Sequence, residues 1–307
     1  SRAYTDNPAT EVVACMDINQ EAARGLAEEF EIPSVYTDRE PMLANEDLDI
    51  LSVCTWQGPR AEITVDAAGA GVKAVLGEKP MAASLGGADD MIRACEENGV
   101  KLAIGHQRRF TPVLNEMRRL VSDGAVGRPL LLYHRAKPNA GLLNTGTHAV
   151  DAWRYILGDP ETLWVIGQTA RTTDRWERRT MCEDLCMGLV CFEGGARGLY
   201  EGDLPEPGVP MPMVTGTEGT ITQGPENKVL LHRNGESGPE EIEAPPVDTN
   251  QLQELIDWVE GKVPDHRGNG RQARYTMEIM MAIYESLRIR NVVTMPLQTR
   301  ELPLELM

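Results

Sequence analysis

The strongest constraint on the fold of this 307-residue chain is an alternation of apolar and amphipathic segments over its first 105 residues. Five short runs predict strands, at 11–16, 34–36, 50–55, 73–77 and 101–105. Between them the sequence predicts helices, at 20–30, 41–44, 61–70 and 89–98. Strands joined by helices of this size predict a parallel, doubly wound sheet.

After His106 the pattern changes, because several strand-like runs follow one another with few helices between them. Clustered strands of this kind predict a mainly antiparallel sheet within an α+β unit. We therefore expect two domains, an α/β unit at 1–108 and an α+β unit at 109–307. The Gly- and Pro-rich segment at 234–246 is predicted to form a loop or an edge hairpin.

The charge balance excludes several classes of protein. The formal net charge is −17 and the sequence pI is about 4.8, with no run rich in Lys and Arg. Nucleic acids and acidic membranes bind basic surfaces, so we expect neither as a partner. No apolar stretch approaches the roughly 20 residues that span a bilayer, and no basic-then-apolar leader is present, which favours a cytoplasmic protein.

The six cysteines occur singly in apolar runs and are predicted to be reduced, small apolar residues. Cys182 and Cys186 form a C-x3-C spacing, but no histidine or second cysteine pair lies nearby at ligand spacing. We therefore expect no metal site.

The usual opening of a dinucleotide-binding sheet, a strand followed by a G-x-G-x-x-G loop and a helix, is missing. The one similar run, at 69–74, ends a helix and precedes a strand, which is the wrong order for binding a phosphate. Residues 1–4 resemble the end of a first helix, and 11–17 the second strand. Two explanations stay open: an incomplete version of a longer enzyme, which we favour because the other motifs remain, or a protein that does not bind a dinucleotide in the ordinary way.

Asp17 ends the strand at 11–16, where an acidic side chain can accept both hydroxyls of an adenosine ribose and repel a 2′-phosphate. This position predicts NAD as the cofactor in preference to NADP. The alternative is that Asp17 caps the helix that follows.

Lys79 follows the predicted strand at 73–77, in the sequence Gly77-Glu78-Lys79-Pro80. Ligands of open α/β sheets bind at the carboxyl ends of strands. Because a residue before proline is restricted to extended conformations, the lysine amine is expected to project from a loop. We interpret Lys79 as a site residue, against the alternative of a solvated surface lysine.

A second group of candidates surrounds the start of a helix predicted near 147–157. Asn144 and His148 are four residues apart, and Asp151 follows His148 on the same helical face, where it could orient the imidazole. A neutral imidazole beside a sugar hydroxyl can accept or relay its proton. The alternative is a structural histidine that is packed and hydrogen bonded.

Together these residues resemble the Gfo/Idh/MocA family, which includes glucose-fructose oxidoreductase and inositol dehydrogenase. The resemblance covers nearly the whole chain. It depends on several motifs in order: Asp17, Thr55, the run from Ala67 to the E-K-P at 78–80, R-R-F-T-P at 108–112, G-x-H-x-x-D at 146–151, G-T-E-G at 216–219 and A-x-Y-x-S at 282–286.

The resemblance implies a Rossmann-like domain, here without its first strand and glycine loop, followed by an open-sheet domain that binds substrate and commonly builds dimers or tetramers. It implies that Lys79 contacts the hydroxyl being oxidised and the nicotinamide ribose, with His148 as the acid/base partner. The residues implied near the cofactor are Asp17, Thr55, Trp56, Glu78, Lys79, Gln107 and Arg108. Those implied near the substrate are Lys79, Asn144, His148 and Asp151.

Two departures from the family pattern bear on these roles. Some relatives carry Asp where Asn144 stands, and because Asn cannot accept a proton, the role of base falls to Lys79 or His148. The usual T-P-N-x-x-H run is replaced by T-W-Q-G-P-R at 55–60. Trp56 could stack on the cofactor or simply pack, and Arg60 could face an acidic or phosphorylated group.

We therefore predict an NAD(P)-dependent oxidoreductase that transfers a hydride between nicotinamide and a secondary hydroxyl of a sugar, polyol, inositol or sugar acid. Two alternatives stay open: an NAD-dependent glycosidase acting by oxidation and elimination, and a non-catalytic sugar or cofactor sensor. The expected partners are a small sugar or polyol substrate and further copies of the chain, in a homodimer or homotetramer. Several residues could line a polar pocket: Arg135, Lys137, Asn139, Trp176 and Arg178.

Overall fold

Strands and helices alternate through the first part of the computed structural model, which describes residues 2–136, 141–202 and 212–307. The strands here are β1 (Ala14–Met16), β2 (Ser34–Tyr36), β3 (Ile50–Val53), β4 (Ala74–Gly77) and β5 (Lys101–Ile104). The helices are α1 (Arg2–Thr5), α2 (Gln20–Phe30), α3 (Arg39–Asn45), α4 (Gln57–Gly69) and α5 (Leu85–Glu97). The side chains of Asn19, Asp38 and Ser84 accept backbone N–H groups at the starts of α2, α3 and α5, which satisfies donors that a helix start leaves unpaired.

All five strands pair in parallel, and they form two sheets. One contains β1 and β2, and the other contains β3, β4 and β5 with β4 in the middle. The short helix α1 borders the second sheet, because Tyr4 Oη lies 2.6 Å from Ser52 Oγ on β3. The prediction of a parallel α/β unit is confirmed, with its strands divided between two sheets in the described residues.

The second part of the chain is dominated by strands. These are β6 (Pro129–Arg135), β7 (Thr162–Ala170), β8 (Trp176–Glu177), β9 (Thr180–Met181), β10 (Leu185–Phe192), β11 (Arg197–Glu201), β12 (Met213–Gly216), β13 (Gly219–Gln223), β14 (Lys228–Arg233), β15 (Glu240–Glu243) and β16 (Val293–Thr294). The α-helices are α6 (Pro112–Ser122), α7 (Thr147–Ile156), α8 (Gln251–Val259) and α9 (Gly270–Ile289). Single turns of 3-10 helix lie at Gln107–Phe110, Glu193–Gly195 and Pro303–Leu306, and a π-helical turn lies at Leu142–Gly146.

Nine of these strands form one mixed sheet in the order β15-β14-β13-β12-β6-β11-β10-β7-β16. The pairing of β6 with β11 is parallel, whereas the other neighbours in this order pair antiparallel. The remaining two, β8 and β9, make a small separate hairpin. The prediction of a mainly antiparallel α+β unit is confirmed.

Helix α9 packs closely on one face of the large sheet. Gly167 on β7 and Gly188 on β10 are paired in register, and a Cβ atom on either would collide with Ile283 of α9. The absence of a side chain at both positions therefore sets the short distance between helix and sheet. The opposite face carries exposed apolar side chains, including Ile166 and Met187.

Helix α8 returns to the first part of the chain and packs on its three-stranded sheet. Leu255 forms a buried cluster with Ala74 of β4 and Ala103 of β5. The carbonyl of Gly268, in the segment after α8, accepts the N–H of Ile104 on β5 at 2.8 Å. The domain limits 1–108 and 109–307 stay a prediction, and α8 supports the first sheet although it lies within the second range.

Several element limits differ from those predicted. Helix α4 begins at Gln57 rather than Ala61, because Pro59 fits in its first turn. The edge hairpin predicted at 234–246 is present, because β15 pairs antiparallel with β14 at the edge of the sheet, whereas β12 was not predicted. Lys137 and Asn139, named above as pocket candidates, lie outside the described residues.

Candidate active site

The predicted site residues gather at the carboxyl ends of the parallel strands. Asp17 follows β1, Thr55 and Trp56 follow β3, Glu78 and Lys79 follow β4, and Gln107 and Arg108 follow β5. Loops at these ends meet along one edge of a parallel sheet, which is where such folds bind their ligands. The chain topology alone therefore brings these loops to one side of the first domain.

Asp17 is exposed, and one of its carboxylate oxygens accepts the N–H of Asn19 at 2.8 Å. Asn19, not Asp17, caps α2, since its side chain accepts the N–H groups of Glu21 and Ala22. The alternative interpretation of Asp17 as the helix cap is therefore wrong. Its second carboxylate oxygen has no hydrogen-bond partner among the residues that the structure describes and can accept a hydroxyl.

Arg60 joins two of the loops. Its side chain is 1% exposed, and its guanidinium donates to the backbone carbonyls of Thr55 and Pro80. Burial lowers its pKa to about 10. The possibility that Arg60 faces an acidic or phosphorylated group is not supported, because its buried guanidinium donates to the backbone of the two loops.

Thr55 and Trp56 differ in their surroundings. The hydroxyl oxygen of Thr55 is buried and has no partner among the described residues. Trp56 is 51% exposed, and the guanidinium of Arg179 lies 5.2 Å from the centre of its ring. About half of the indole surface is thus accessible to solvent, while the guanidinium of Arg179 lies over the ring in a cation–π contact.

Lys79 reaches across from the first domain to the second. Its ammonium nitrogen donates to the backbone carbonyl of Asn144 at 2.9 Å, and both residues are half-buried. The peptide bond to Pro80 is cis. Burial, and then the nearby cations Arg178, Arg60 and Arg108, lower the pKa of Lys79. This contact unites the predicted Lys79 and Asn144, although through the backbone of Asn144 and not its amide.

A buried carboxylate holds the turn that carries Asn144. Glu183 accepts the N–H of Leu142, the first residue of the π-helical turn, at 2.7 Å. It also accepts the hydroxyl of Tyr284 at 2.6 Å. Glu183 is fully buried, so these two donors replace the water that its carboxylate has lost.

His148 occupies the first turn of α7 and is half-buried. Burial, followed by the positive charges of Lys79 and Arg108, lowers its pKa to about 3. The imidazole is therefore neutral at pH 7 and has a lone pair that can accept a proton. Lys79 contacts the π-helical turn that directly precedes α7, so its ammonium lies near the helix turn that carries His148 and acts on the imidazole as a positive charge.

Asp151 has different partners from those predicted. It is 1% exposed, and its carboxylate accepts Arg109 Nε at 3.0 Å and a terminal nitrogen of Arg109 at 2.8 Å. Its Oδ1 also lies 3.2 Å from His106 Nδ1. Burial alone would raise the pKa of Asp151, but Arg109 and His106 lower it below its usual range. The predicted pairing with His148 is not found. Because its buried carboxylate is bonded to Arg109, Asp151 is not expected to contact a substrate.

Gln107 and Arg108 begin the 3-10 turn after β5. Gln107 is exposed, whereas Arg108 is half-buried and its pKa is lowered by burial. Arg108 also contributes to lowering the pKa of His134, which burial brings to about 4. His134 stacks on Tyr200, with ring centres 5.6 Å apart. The charge of Arg108 thus acts on a histidine of β6 in the second domain.

Sequence reasoning missed four contributors to this arrangement: His106, Arg109, Glu183 and Tyr284. Tyr284 and Arg109 occurred only within motifs of the resemblance, and no spacing in the sequence points to Glu183. Its partners are 41 and 101 residues away along the chain. Such contacts follow from the tertiary fold alone.

Two further properties concern the described part of the chain. No group of three or more His, Cys, Asp or Glu side chains in it is arranged to bind a metal ion. Within the same residues, no helix has the length and apolar composition needed to cross a membrane.

Comparison with known proteins identifies two matching family models. Residues 1–106 match an oxidoreductase family with an NAD-binding Rossmann fold, GFO_IDH_MocA, and residues 114–222 match a GFO/IDH/MocA C-terminal domain.

Two curated relatives and one solved structure illustrate the similarity. D-apiose dehydrogenase of Paraburkholderia graminis is 27% identical over 75% of this chain and 65% of that protein. 1,5-Anhydro-D-fructose reductase of Ensifer adhaerens is 30% identical over 74% of this chain and 73% of that protein. An Agrobacterium radiobacter oxidoreductase, solved with NAD+, L-tartaric acid and magnesium, superposes with a TM-score of 0.80 at 19% identity, over 95% of this chain and 93% of that one. The chain thus spans a little less than two thirds of the first of these relatives.

Proposed function

This chain belongs to the GFO/IDH/MocA oxidoreductase family, and from that premise we propose that it is an NAD-dependent dehydrogenase of a sugar, polyol or sugar-derived acid. Lys79 and His148 would act on the hydroxyl group of the substrate. The proposal rests chiefly on one observation, the meeting of Lys79 and the Asn144 turn, with His148 beside them, across the two domains.

The residues along the sheet edge fit a nicotinamide dinucleotide. The exposed carboxylate of Asp17 has an oxygen free to accept a ribose hydroxyl, and its charge disfavours the 2′-phosphate of NADP. The unpartnered hydroxyl of Thr55 and the exposed face of Trp56 lie after the end of β3. Glu78 lies after the end of β4. When bound, NAD supplies the hydride acceptor at its nicotinamide ring.

The chain's own residues would orient the alcohol and move its proton. His148 would accept the hydroxyl proton, because the imidazole is neutral at pH 7 and has a free lone pair. The Lys79 ammonium lies where it can donate a hydrogen bond to the oxygen and stabilise negative charge that develops there. Asn144 orients neighbouring hydroxyls through its amide and cannot itself serve as the base.

Steady-state kinetics on the purified chain test the proposal. A panel of sugars, polyols, aldonic acids and uronic acids is assayed for NADH formation, and the best substrate is repeated with Lys79→Met and His148→Asn. We expect each variant to lose about 100-fold or more in kcat, since acid/base and electrostatic contributions are commonly of that size. Lys73→Met is the matched control, because Lys73 is exposed and pairs with Asp49 at the surface.

Retention of NADH formation in Lys79→Met would refute the assigned chemistry. Release of an aglycone without net NADH would indicate the glycosidase alternative. Ligand binding without any turnover across the panel would indicate a sensor.

We also propose a homo-oligomer assembled through the open face of the nine-stranded sheet. Ile166 on β7 and Met187 on β10 are 42% and 47% exposed there, although each of these strands pairs with a neighbour on both sides. A second copy would cover them, as exposed apolar patches commonly mark interfaces. Light scattering of the wild type and of Ile166→Lys/Met187→Glu tests this: the double variant should be smaller in mass, and an unchanged mass would exclude this face.

A further inference from the structure

A small hairpin of the second domain ends in two arginines. Strands β8 and β9 pair Glu177 with Thr180, which leaves Arg178 and Arg179 as the two turn residues. Both have positive φ, 51° and 61°, as the central residues of a type I′ turn require. Gly and Asn adopt this conformation most easily, so two consecutive arginines here point to a use for their side chains.

The hairpin is fixed against the loop after β3. Thr180 Oγ1 accepts the amide of Gln57 at 2.9 Å, and both side chains are buried. The guanidinium of Arg179 lies over the ring of Trp56, the residue before Gln57. The turn therefore has a defined position beside the loop after β3.

The residue just before this turn contacts the loop that leads to Asn144. Glu177 Oε1 accepts the N–H of Gly141, at 3.4 Å, just before the π-helical turn. Glu177 is also paired with Arg175. The turn that carries Arg178 thus lies between the loop after β3, which contains Trp56, and the loop that leads to Asn144.

Cations collect around this turn without matching carboxylates. Three cations have no carboxylate oxygen within ion-pair distance among the described residues: Lys79, Arg108 and Arg178. The charge of Arg178 also contributes to the lowered pKa of Lys79. The chain as a whole has a net charge of −17, so a cluster of free cations in a cleft is a local exception.

The neighbouring carboxylates are otherwise engaged. Asp151 is held by Arg109, Glu177 by Arg175, and Glu183 by Tyr284. Glu78 is exposed and accepts the backbone N–H of Lys79, and its charge acts on the Lys79 ammonium without forming an ion pair with it. Guanidinium and ammonium groups that have no ion-pair partner attract and orient an anion.

We propose that the substrate is an anion, a hydroxy acid derived from a sugar, whose carboxylate is bound by Arg178 with Arg108 and Lys79 nearby. This inference rests on the proposed dehydrogenase function and narrows its substrate class from sugars and polyols in general to aldonic or uronic acids. Arg178 is then a specificity-determining residue, since its planar guanidinium can bind a carboxylate through two parallel hydrogen bonds.

Matched pairs of substrates test the inference. D-Gluconate, D-galactonate and D-glucuronate are compared with D-glucitol, D-galactitol and D-glucose in wild type, Arg178→Met and Arg178→Lys. We expect the wild type to prefer the acid of each pair. Arg178→Met should lower kcat/KM for the acid about 10- to 100-fold, mainly through KM, because it removes a charged hydrogen bond. Its effect on the neutral partner should be much smaller, because Arg178 acts there only through the pKa of Lys79, and Arg178→Lys should fall between.

Arg290→Met is the control, since Arg290 is another exposed arginine with positive φ but lies at the end of α9. Equal use of acid and neutral partners, or an equal loss on both in Arg178→Met, would overturn the inference. Preference for glucitol phosphate over gluconate would also overturn it, because the site would then be built for a phosphate.

A thermal-shift measurement separates this inference from the proposed function. If no compound is oxidised, the dehydrogenase proposal fails, and the effect of D-gluconate and D-glucitol on Tm is then decisive for the anion site. A rise in Tm with gluconate alone that disappears in Arg178→Met would support the site. No difference between the two compounds would exclude it.

Discussion

The buried pair between Arg109 and Asp151 offers a quantitative prediction for the variant Asp151→Asn. Both side chains are almost fully buried, and three hydrogen bonds join them. The asparagine keeps the shape of the side chain but removes its charge, and its amide group would face the guanidinium as a second donor. Arg109 would then be a buried cation with Asp159 as its remaining partner, at 2.9 Å.

Removal of one member of a buried ion pair costs about 3–5 kcal/mol of unfolding free energy, because the other charge stays buried and uncompensated. Asp159 continues to neutralise part of the Arg109 charge, so we expect a loss near the lower end, about 3 kcal/mol. With a urea dependence of about 3 kcal/mol per molar, the unfolding midpoint should fall by about 1 M.

Urea unfolding monitored by tryptophan fluorescence measures this change. Glu116→Gln is the matched control, because Glu116 is also buried but its partner Arg119 is 54% exposed and can return to water. We expect the control to lose about 1 kcal/mol or less. Equal midpoints for Asp151→Asn and wild type, or a loss no larger than that of Glu116→Gln, would refute the reasoning.

The same pair gives a pH dependence with a defined sign. The pKa of Asp151 is lower in the folded state than in the unfolded chain, where it is about 3.9. Its stabilisation is therefore complete above that value and is lost as the pH falls through the folded-state pKa. The difference in stability between wild type and Asp151→Asn should be constant from about pH 5 to 8 and should shrink below about pH 4.

Three further changes have expected outcomes. Tyr284→Phe should reduce the unfolding free energy by about 1.5–3 kcal/mol in urea titrations, since buried Glu183 loses one of its donors, and an unchanged midpoint would show that the hydroxyl is dispensable. Asp17→Ser should weaken NADH binding about 10-fold or more in fluorescence titrations while NADPH binding is unchanged or stronger, and equal effects on both would contradict a ribose contact. Gly167→Ala should cost about 1–3 kcal/mol because its Cβ would meet the backbone of α9, whereas Gly25→Ala, in open space on α2, should be neutral or stabilising in the same assay.

The fold was largely predictable because each domain has its own local pattern. Buried parallel strands are continuous apolar runs, and the runs at 50–55 and 73–77 contain β3 and β4. The start of α4 was misplaced because no side chain caps it, so the sequence carries no signal at Trp56. Strand β12 escaped prediction because it is four residues long and is identified by its pairing with β6 and β13.

The membership of the candidate site stays a prediction, whereas its contacts can be compared with the sequence. Motifs point to Lys79, Asn144 and His148, and in the structure Lys79 contacts the turn that carries Asn144 and precedes the helix of His148. That Lys79 contacts a backbone carbonyl could not be read from the sequence, since every residue has one. Asp151 pairs with Arg109 and not, as the sequence had suggested, with His148. This pairing also depends on the tertiary fold, because Arg109 is 42 residues away along the chain.

The return of α8 to the first sheet has a consequence for recombination between relatives. A chimera that joins this chain at residue 109 to the second half of another family member would exchange Leu255 and Gly268 together with the substrate domain. The foreign helix would then meet β4 and β5 with side chains selected for a different partner. Viable crossovers should need at least two junctions, so that the segment around 251–269 is inherited together with residues 1–108.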